Sequence, residues 1–435
     1  MPFKITLTLS FFIFFIVSCK KNNPAPAPTP TPGISGFNIS TKYVGDATFL
    51  IPYVTSNSNG AFTYSSSDAA VASIKGDSIQ INSAGTVTIT AMQAGTSSFT
   101  AGSVTTSFKV LPSVYITGWS SGSSGDQPMY WRNGIATNLS GSGTTNSIFI
   151  HNNDVYIGGS FQINDYGYCG YWKNGVPHPI AKNGTVNAIA VLGNDVYAVG
   201  YIATFDQADH VTATLWKNDV AIPLTNPVEC CGLVSSSIAS AISINNNVVY
   251  IAGTSYDLSN FGAATIWKVD GTAVALTTPD VTTINTTVSA AYGITFQGND
   301  MYISGSVGEA YSTDYLGYWK NGAFFPDKLP SHQYPNNTSI VVNGSDVYTA
   351  GIHAEDGLLS AAYWKNGVET ILAPSGTATG IAFSGSDMYV VGTTLAIANF
   401  TWYPTAVYWI NGTLVKLPTT VPNDTMATSI FIRNQ

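Results

Sequence analysis

The sequence predicts an all-β protein with two domains, and three observations lead to that prediction. Only 9% of the 435 residues are charged, whereas Gly, Ser, Thr, Asn and Tyr are abundant, a composition typical of exported β-rich chains. Short alternating apolar runs separated by turn residues fill residues 34–112. A sequence motif with one Tyr-containing strand and one Trp-containing hairpin then recurs to the C-terminus. Internal repeats of this kind are a stronger guide to the fold than local propensity.

The N-terminus predicts export and a lipid anchor. Residues 1–18 contain an apolar stretch long enough for a signal peptide and too short to span a membrane. The sequence Ile-Val-Ser-Cys at 16–19 resembles the bacterial lipobox, which implies cleavage before Cys19 and attachment of lipid to its sulfur. The alternative is an ordinary secretory signal. Because Lys20 follows the cysteine, the resemblance implies an outer-membrane lipoprotein of a bacterial cell envelope, in either leaflet.

Residues 19–33 are predicted to form a linker. Every second residue of 24–32 is proline, which lacks a backbone N–H and has a fixed φ. Such a run forms neither a helix nor a sheet ladder and acts as an extended spacer.

Residues 34–112 are predicted to form a small β-sandwich. Seven short strands are expected at 37–40, 47–54, 62–65, 71–74, 78–81, 85–91 and 105–110. The phrases at 62–68, 71–74 and 85–91 resemble the bacterial Ig-like group 2 domain. That resemblance implies a spacer or adhesive module and no catalyst.

Residues 113–435 carry seven copies of one unit. The repeated Trp falls at Trp131, Trp172, Trp216, Trp267, Trp319, Trp364 and Trp409, and the strand Tyr at Tyr115, Tyr156, Tyr197, Tyr250, Tyr302, Tyr348 and Tyr389. Successive Trp residues are roughly 41 to 52 positions apart, the length of one four-stranded propeller blade. Asn-Gly pairs, a strong hairpin signal, separate the last two strands of most units. The sequence therefore predicts a seven-bladed β-propeller.

The two ends of the repeat region predict how the ring closes. The chain enters on the second strand of a unit and ends at 428–432 on what matches a first strand. The C-terminal strand is therefore expected to complete the first blade, which removes free sheet edges. The Tyr, Gly and Trp spacing resembles kelch-type propellers in outline, and that resemblance implies a ring without implying a function.

One face of the ring is the candidate ligand surface, because length variation among the units falls in connections at one end of the strands. Aromatic rings beside carboxylates suit a glycan or a protein partner, since rings cover apolar patches and carboxylates accept hydrogen bonds. The alternative is that these aromatics cap the blades and the acids are solvated. The candidates are Asp165, Tyr166, Tyr168, Asp209, Tyr256, Asp257, Tyr311, Asp314, Tyr315, Asp356, Trp402 and Tyr403.

The sequence predicts no catalytic residue, no metal site and no cofactor. The five His residues are spread over separate units without metal-ligand spacing, and a net charge of −8 excludes nucleic acid as a partner. The favoured function is a non-catalytic lipoprotein, held at the membrane through Cys19, that binds a glycan or protein partner. The alternatives are a polysaccharide-acting propeller hydrolase or lyase and a purely structural envelope protein.

Three cysteines remain beside Cys19. Because export permits disulfide bonds, Cys169 with Cys230 or Cys231 is the favoured pairing, a bond between Cys230 and Cys231 is the second, and three free thiols are the third.

Overall fold

The computed structural model describes residues 27–122, 125–163, 166–204, 210–227, 236–257, 261–268, 273–275, 287–309, 315–327, 336–355, 357–398, 401–419 and 424–435. Within these ranges the regular secondary structure consists of 37 β-strands. The all-β prediction is confirmed. No helix in this part of the chain is long and apolar enough to cross a membrane.

The N-terminal region contains nine strands in three small sheets. The strands are Ile34–Ser35 (β1), Lys42–Tyr43 (β2), Phe49–Leu50 (β3), Thr55–Ser56 (β4), Phe62–Ser66 (β5), Ala72–Lys75 (β6), Ser78–Ile81 (β7), Gly85–Gln93 (β8) and Gly102–Leu111 (β9). The sheet orders are β2-β9-β8-β5, β3-β7-β6 and β1-β4. The strand expected at 37–40 is absent from this described region, and that expected at 47–54 shrinks to β3. Phe37 and Ile39 are instead buried in the core by an irregular segment.

One hydrophobic core holds these sheets together. Ile89 and Phe108 from the four-stranded sheet and Ala72 and Ile79 from the three-stranded sheet belong to the same buried cluster. Alternate residues of β8 and β9 enter it, because successive side chains of a strand point to opposite faces. Apolar burial therefore organises this region without a disulfide bond among its described residues.

The remaining strands form seven antiparallel sheets of four strands each, numbered I to VII along the chain. Sheet I contains Ser113–Ser120 (β10), Gln127–Arg132 (β11), Ile135–Asn138 (β12) and the C-terminal strand Thr425–Arg433 (β37). Sheet II contains Ser142–His151 (β13), Asp154–Ile163 (β14), Tyr166–Lys173 (β15) and Val176–Lys182 (β16). Sheet III contains Gly184–Leu192 (β17), Asp195–Thr204 (β18), His210–Lys217 (β19) and Val220–Pro223 (β20).

Sheets IV to VII repeat this pattern. Sheet IV contains Ser237–Asn245 (β21), Val248–Tyr256 (β22), Gly262–Lys268 (β23) and Ala273–Ala275 (β24). Sheet V contains Thr287–Gln297 (β25), Asp300–Glu309 (β26), Tyr315–Lys320 (β27) and Ala323–Pro326 (β28). Sheet VI contains Asn336–Asn343 (β29), Asp346–Glu355 (β30), Leu358–Lys365 (β31) and Val368–Ala373 (β32). Sheet VII contains Gly376–Ser384 (β33), Asp387–Ala398 (β34), Thr401–Ile410 (β35) and Thr413–Lys416 (β36).

We call the edge strand that begins each sheet order strand a; it is β37 in sheet I and the first strand along the chain in sheets II to VII. Each strand a contacts strand a of the next sheet in cyclic order. The contacts run β13, β17, β21, β25, β29, β33, β37 and back to β13. Strand β37 supplies strand a of sheet I and pairs with β10 from Ser113↔Arg433 to Ser120↔Thr425. The first and last segments of the repeat region thus share one sheet.

Strands b and c are the second and third of each sheet. In the sixth copy the repeated residues predict these strands at 346–351 and 361–365, and the structure extends both. In sheet VI they pair as far as Glu355↔Leu358, so residues taken for a loop belong to a hairpin. We call the end of the ring with these b–c connections the hairpin end, and the end with the short a–b and c–d turns the turn end. The prediction ended these strands too early because it used the repeated residues alone.

Each strand a has a β-bulge at the same place, and a glycine of strand b lies opposite it. In sheet III the register shifts between Val186 and Ala188, and Gly200 faces Val186. A Cβ at Gly200 would overlap the carbonyl oxygen of Thr185. A Cβ would overlap a carbonyl oxygen of strand a in the same way at Gly118, Gly159, Gly253, Gly305 and Gly392. The recurring glycine is therefore required by close approach of two backbones.

Polar residues at the bulges link neighbouring sheets. The side-chain amide of Asn146 donates to the carbonyl of Val186 at 2.9 Å, and that of Asn187 donates to Ala239 at 2.9 Å. Each bond joins strand a of one sheet to strand a of the next. The bulge thus frees a side chain to satisfy a carbonyl of the adjacent sheet.

The repeated Trp residues form the core between sheets. Six of the seven are among the largest fully buried side chains of the described residues. Trp172 Nε1 donates to Ser140 O at 3.0 Å, and Trp267 Nε1 donates to Thr225 O at 2.6 Å. Both acceptors follow the last strand of the preceding sheet, so one residue fills the core and bridges two sheets.

A repeated polar network closes the turn end. In sheet II, Asn174 has a φ of 52°, its Oδ1 accepts from Val155 N at 2.9 Å, and its Nδ2 donates to Asp154 at 2.7 Å. Lys173 Nζ lies 3.0 Å from the same carboxylate and 5.2 Å from the Tyr156 ring centroid. The hydrogen bond from Asn174, followed by that from Lys173, lowers the pKa of Asp154. Equivalent Asp–Lys pairs occur in sheets III, V and VI.

The N-terminal region contacts the turn end of the ring. Ser113 Oγ donates to Val44 O at 2.7 Å, and Arg132 lies 3.0 Å from Asp46. The backbone N–H of Ala84 donates to Asn434 O at 3.1 Å. Because these contacts involve the turn end, the hairpin end faces away from the N-terminal sheets.

Candidate functional site

A cleft of about 520 Å³ lies at the hairpin end of sheets I, II and III. This volume is within the range of small-molecule sites. Gln162 and Asn183 on its walls are exposed, so the cleft opens to solvent. Its lining consists of Gly125, Asp126, Ser142, Gly143, Thr144, Ser160, Phe161, Gln162, Gly167, Tyr168, Asn183, Gly184, Tyr201 and Ala203.

Four glycines shape the cleft. A Cβ at Gly143 would overlap the carbonyl oxygen of Ser160, and a Cβ at Gly184 would lie 3.1 Å from Cys169 Sγ. Gly125 has a φ of 107° and Gly143 a φ of 156°. Gly167 differs, because nothing lies within 4 Å of a Cβ built there. Backbone therefore forms much of the surface that a ligand would meet.

Asp126 supplies the one carboxylate of the described lining. The residue is half-buried, and its backbone carbonyl accepts from Gly143 N at 2.8 Å. Among the described residues, its side chain has no hydrogen-bond or ion-pair partner. A half-buried carboxylate in this position is satisfied by water or by hydroxyl groups of a ligand.

Two tyrosines give the cleft aromatic surface. Tyr168 on β15 is half-buried, and Tyr201 on β18 accepts a hydrogen bond from Thr185 Oγ1 at 3.3 Å. Below them Phe161 is buried against Trp172, with the ring centroids 4.9 Å apart. The aromatic wall is thus supported by the core of sheet II.

Lys182 and Tyr166 form the rim beside Tyr168. Lys182 Nζ lies 4.7 Å from the ring centroid of Tyr166 and 5.7 Å from that of Tyr168. Tyr166 is 62% exposed. Asn183 and Gly184, which follow Lys182 in the chain, line the cleft. The ammonium group of Lys182 is therefore at the edge of the cleft.

The other predicted ligand residues lie outside the cleft or outside the described residues. Tyr256 ends β22 of sheet IV, and burial raises the pKa of its phenol. Asp257 follows the strand, and its Oδ1 accepts from Phe261 N at 2.9 Å. Tyr315 in sheet V and Tyr403 in sheet VII are both exposed. Trp402 lies on β35, paired with Ile397. Asp165, Asp209, Tyr311, Asp314 and Asp356 lie outside the described residues.

Of the predicted ligand residues, Tyr168 lines the cleft and Tyr166 lies at its rim. The expectation that the aromatics are on loops is corrected, because the long hairpins place Tyr166, Tyr168, Tyr256, Tyr315 and Tyr403 on strands. Pairing within a hairpin fixes the direction of such side chains more firmly than a loop does.

Cys169 is a free thiol in the structure, fully buried beside Trp216 and Val186. Its burial raises the pKa of the thiol to about 11, as an apolar surrounding does. This differs from the favoured pairing of Cys169 with Cys230 or Cys231. Those two residues and the lipidation candidate Cys19 lie outside the described residues.

Several lining residues were missed by reasoning from sequence. Ser160 and Tyr201 follow the repeated glycine of strand b directly, at Gly159 and Gly200. The side chain at this position varies from copy to copy, whereas the glycine recurs. That contrast within the repeat was the available signal.

The described residues contain no group of three or more His, Cys, Asp or Glu side chains suited to hold a metal ion.

Comparisons with known proteins show no family for this chain. No protein-family model matches the chain. No curated protein matches it either.

Solved structures of low sequence identity resemble the chain. A quinonprotein alcohol dehydrogenase-like protein from Bacteroides thetaiotaomicron is 11% identical, with a TM-score of 0.38 over 93% of this chain and 99% of that one. The β-propeller domain of the Trilobed protease from Pyrococcus furiosus is 10% identical, with a TM-score of 0.38 over 77% of this chain and 94% of that one. A Bombyx mori β-fructofuranosidase of glycoside hydrolase family 32 is 10% identical, with a TM-score of 0.34 over 66% and 89%.

The seven repeated four-stranded sheets, whose a strands contact one another in cyclic order, make the chain an all-β protein of propeller type. The comparisons also correct the favoured function, a non-catalytic ligand-binding protein. That prediction took the lack of a catalytic sequence motif as a sign of no catalysis, but the similar structures include glycoside hydrolases. The lack of a motif in this chain is therefore no ground for excluding catalysis.

Proposed function

We propose that this protein is a polysaccharide-acting enzyme whose substrate binds in the cleft of sheets I, II and III. The observation that carries the proposal is Asp126, a half-buried carboxylate without a protein partner among the described residues, in a cleft with aromatic walls. The hydroxyl groups of a sugar in this cleft would supply the hydrogen-bond donors that the carboxylate lacks among the described residues.

The cleft has the surface that a sugar chain requires. The rings of Tyr168 and Tyr201 can cover the apolar face of a sugar. Ser160, Gln162 and Asn183 offer donors and acceptors to hydroxyl groups. Its opening to solvent allows a long chain to enter without threading.

Asp126 is the acid–base group that we assign to the reaction. Glycoside hydrolysis uses two carboxyl groups, and the described lining supplies this one. Elimination from a uronic acid needs a base and a proton donor, with no second carboxylate. The enzyme is therefore proposed as a hydrolase or lyase, and the presence or absence of an unsaturated sugar in the product distinguishes the two.

Replacing Asp126 by Asn should abolish turnover while leaving the fold intact. General acid–base groups contribute about 10²- to 10⁴-fold to rate, so the D126N variant is expected to lose at least about 100-fold in kcat. The measurement is release of reducing or unsaturated ends from a panel of plant and microbial polysaccharides, followed for the active substrate in both proteins.

Asp77→Asn is the matched control, because Asp77 is an exposed acid in the N-terminal region, remote from the cleft. This variant should retain full activity. Undiminished turnover by D126N, or no product from any polysaccharide in the panel, would refute the proposed function.

For the overall organisation we propose a ring of seven blades, formed by sheets I to VII, on an Ig-like module formed by β1–β9. The cyclic contacts of the a strands and the pairing of β37 with β10 support the ring. The four-stranded and three-stranded sheets around one core support the Ig-like module, and the Tyr, Gly and Trp spacing supports a kelch-like repeat.

Export and lipid attachment at Cys19 remain a proposal, supported by the lipobox-like residues 16–19. In bacteria fed a labelled fatty acid, label should enter the wild-type protein and be absent from Cys19→Ser. The variant should also move from the membrane fraction to the soluble fraction, because acyl chains provide the anchor. Equal labelling of both proteins would contradict the assignment of Cys19.

A further inference from the structure

Lys182 differs from four lysines at the turn end in what surrounds its charge. At the turn end, the ammonium groups of Lys173, Lys217, Lys320 and Lys365 each lie 2.7 to 3.0 Å from an Asp carboxylate. Lys182 is at the hairpin end, and among the described residues its contacts are the rings of Tyr166 and Tyr168. The two rings thus hold the ammonium group in place, and no carboxylate among the described residues neutralises its charge.

The two tyrosine rings hold the ammonium group of Lys182 on one side and leave its other side open. Aromatic faces attract an ammonium group, and they leave its N–H donors free to meet an anion. Lys182 ends β16, directly before Asn183 and Gly184 of the cleft lining. An ammonium group held at a cleft rim with its donors free attracts an anionic group of a ligand.

We infer that the cleft selects an acidic polysaccharide, with Lys182 binding the carboxylate or sulfate group of an anionic sugar. This inference rests on the proposed function and names its substrate class. Asp126 belongs to the b–c connection of sheet I and Lys182 to sheet II. The cleft therefore offers an acceptor for sugar hydroxyls and a separate cationic donor for the anionic group.

The test is binding of the full chain to polygalacturonate, dextran sulfate and neutral dextran, measured by affinity electrophoresis at low and high salt. Wild-type protein should bind at least one acidic polymer more tightly than dextran, with a preference that falls as salt rises. Lys182→Gln should weaken acidic binding about three- to fivefold, the scale of one exposed charge pair, and leave dextran binding unchanged. Lys182→Arg should retain the preference.

Lys109→Gln is the control for net charge, because it removes the same charge from the N-terminal region. It should bind like the wild type. Tighter binding of polygalacturonate or of dextran sulfate identifies the anionic group as carboxylate or sulfate, and either result supports the inference.

Two results would overturn it: an equal affinity for dextran and the acidic polymers, or an equal loss in the Lys109→Gln and Lys182→Gln variants. If neutral glycans are nevertheless turned over, the proposed function stands without the inference. If no polysaccharide binds or is turned over, both fail.

Discussion

Deleting residues 424–435 should prevent the ring from folding cooperatively. The deletion removes β37, so β10 keeps β11 but loses the pairing on its other edge over eight residue pairs. Strands β13 and β33 each lose a neighbouring a strand. Folded domains are stable by only about 5–15 kcal/mol, and losing a whole strand with its hydrogen bonds and packing should exceed that margin. Near-ultraviolet circular dichroism and size-exclusion chromatography should show lost tertiary structure and aggregation through the open edge.

Two controls separate closure from a general effect of truncation. Removal of Gln435 alone leaves β37 intact and should leave the unfolding midpoint unchanged. A synthetic peptide of residues 424–435, added in trans, should restore part of the tertiary signal by pairing with β10. A monomeric truncated protein with the wild-type midpoint would show that β37 does not close the ring.

Replacing Gly200 by Ala should destabilise the protein by about 3 kcal/mol or more, because the new methyl group must overlap the carbonyl oxygen of Thr185. Relief would require strand a of sheet III to move away from strand b, against the contacts that it makes with sheets II and IV. The free energy of unfolding from denaturant titration measures the effect.

Gly167→Ala is the matched control. It is the same substitution on a strand of the neighbouring sheet, with no atom within 4 Å of the new Cβ. We expect a change below about 0.5 kcal/mol, as for an exposed site without special contacts. Equal stability of the two variants would mean that the glycine–bulge contact is not a constraint of the fold.

Much of the architecture follows from the sequence, because local and repeated constraints set it. An Asn-Gly pair needs only its own two positive φ values to make a hairpin, as at Asn174 and Gly175. A Trp in each copy, such as Trp172, signals a core contact that each sheet has to make with its neighbour. These residues repeat because every copy solves the same folding problem.

The cleft could not be predicted in the same way. Asp126 lies in the b–c connection of sheet I, Ser160 in sheet II and Tyr201 in sheet III. These residues approach each other only when the a strands align side by side. Sequence reasoning found Tyr166 and Tyr168 because their aromatic character stood out, but it missed the polar residues around them. The predicted hairpin strands were also too short. The repeated residues mark only the part of each strand that all copies share, whereas strand pairing continues into residues that differ between copies.

The sequence by itself determined the β-rich class, the repeat and its turns, since these depend on neighbours along the chain and on one residue type recurring in register. The tertiary structure alone decided which strands line the cleft, that Cys169 is buried as a free thiol, and that Lys182 contacts two tyrosine rings and no aspartate among the described residues. These features depend on contacts between strands distant along the chain, and such distances are set by the packing of the sheets against one another.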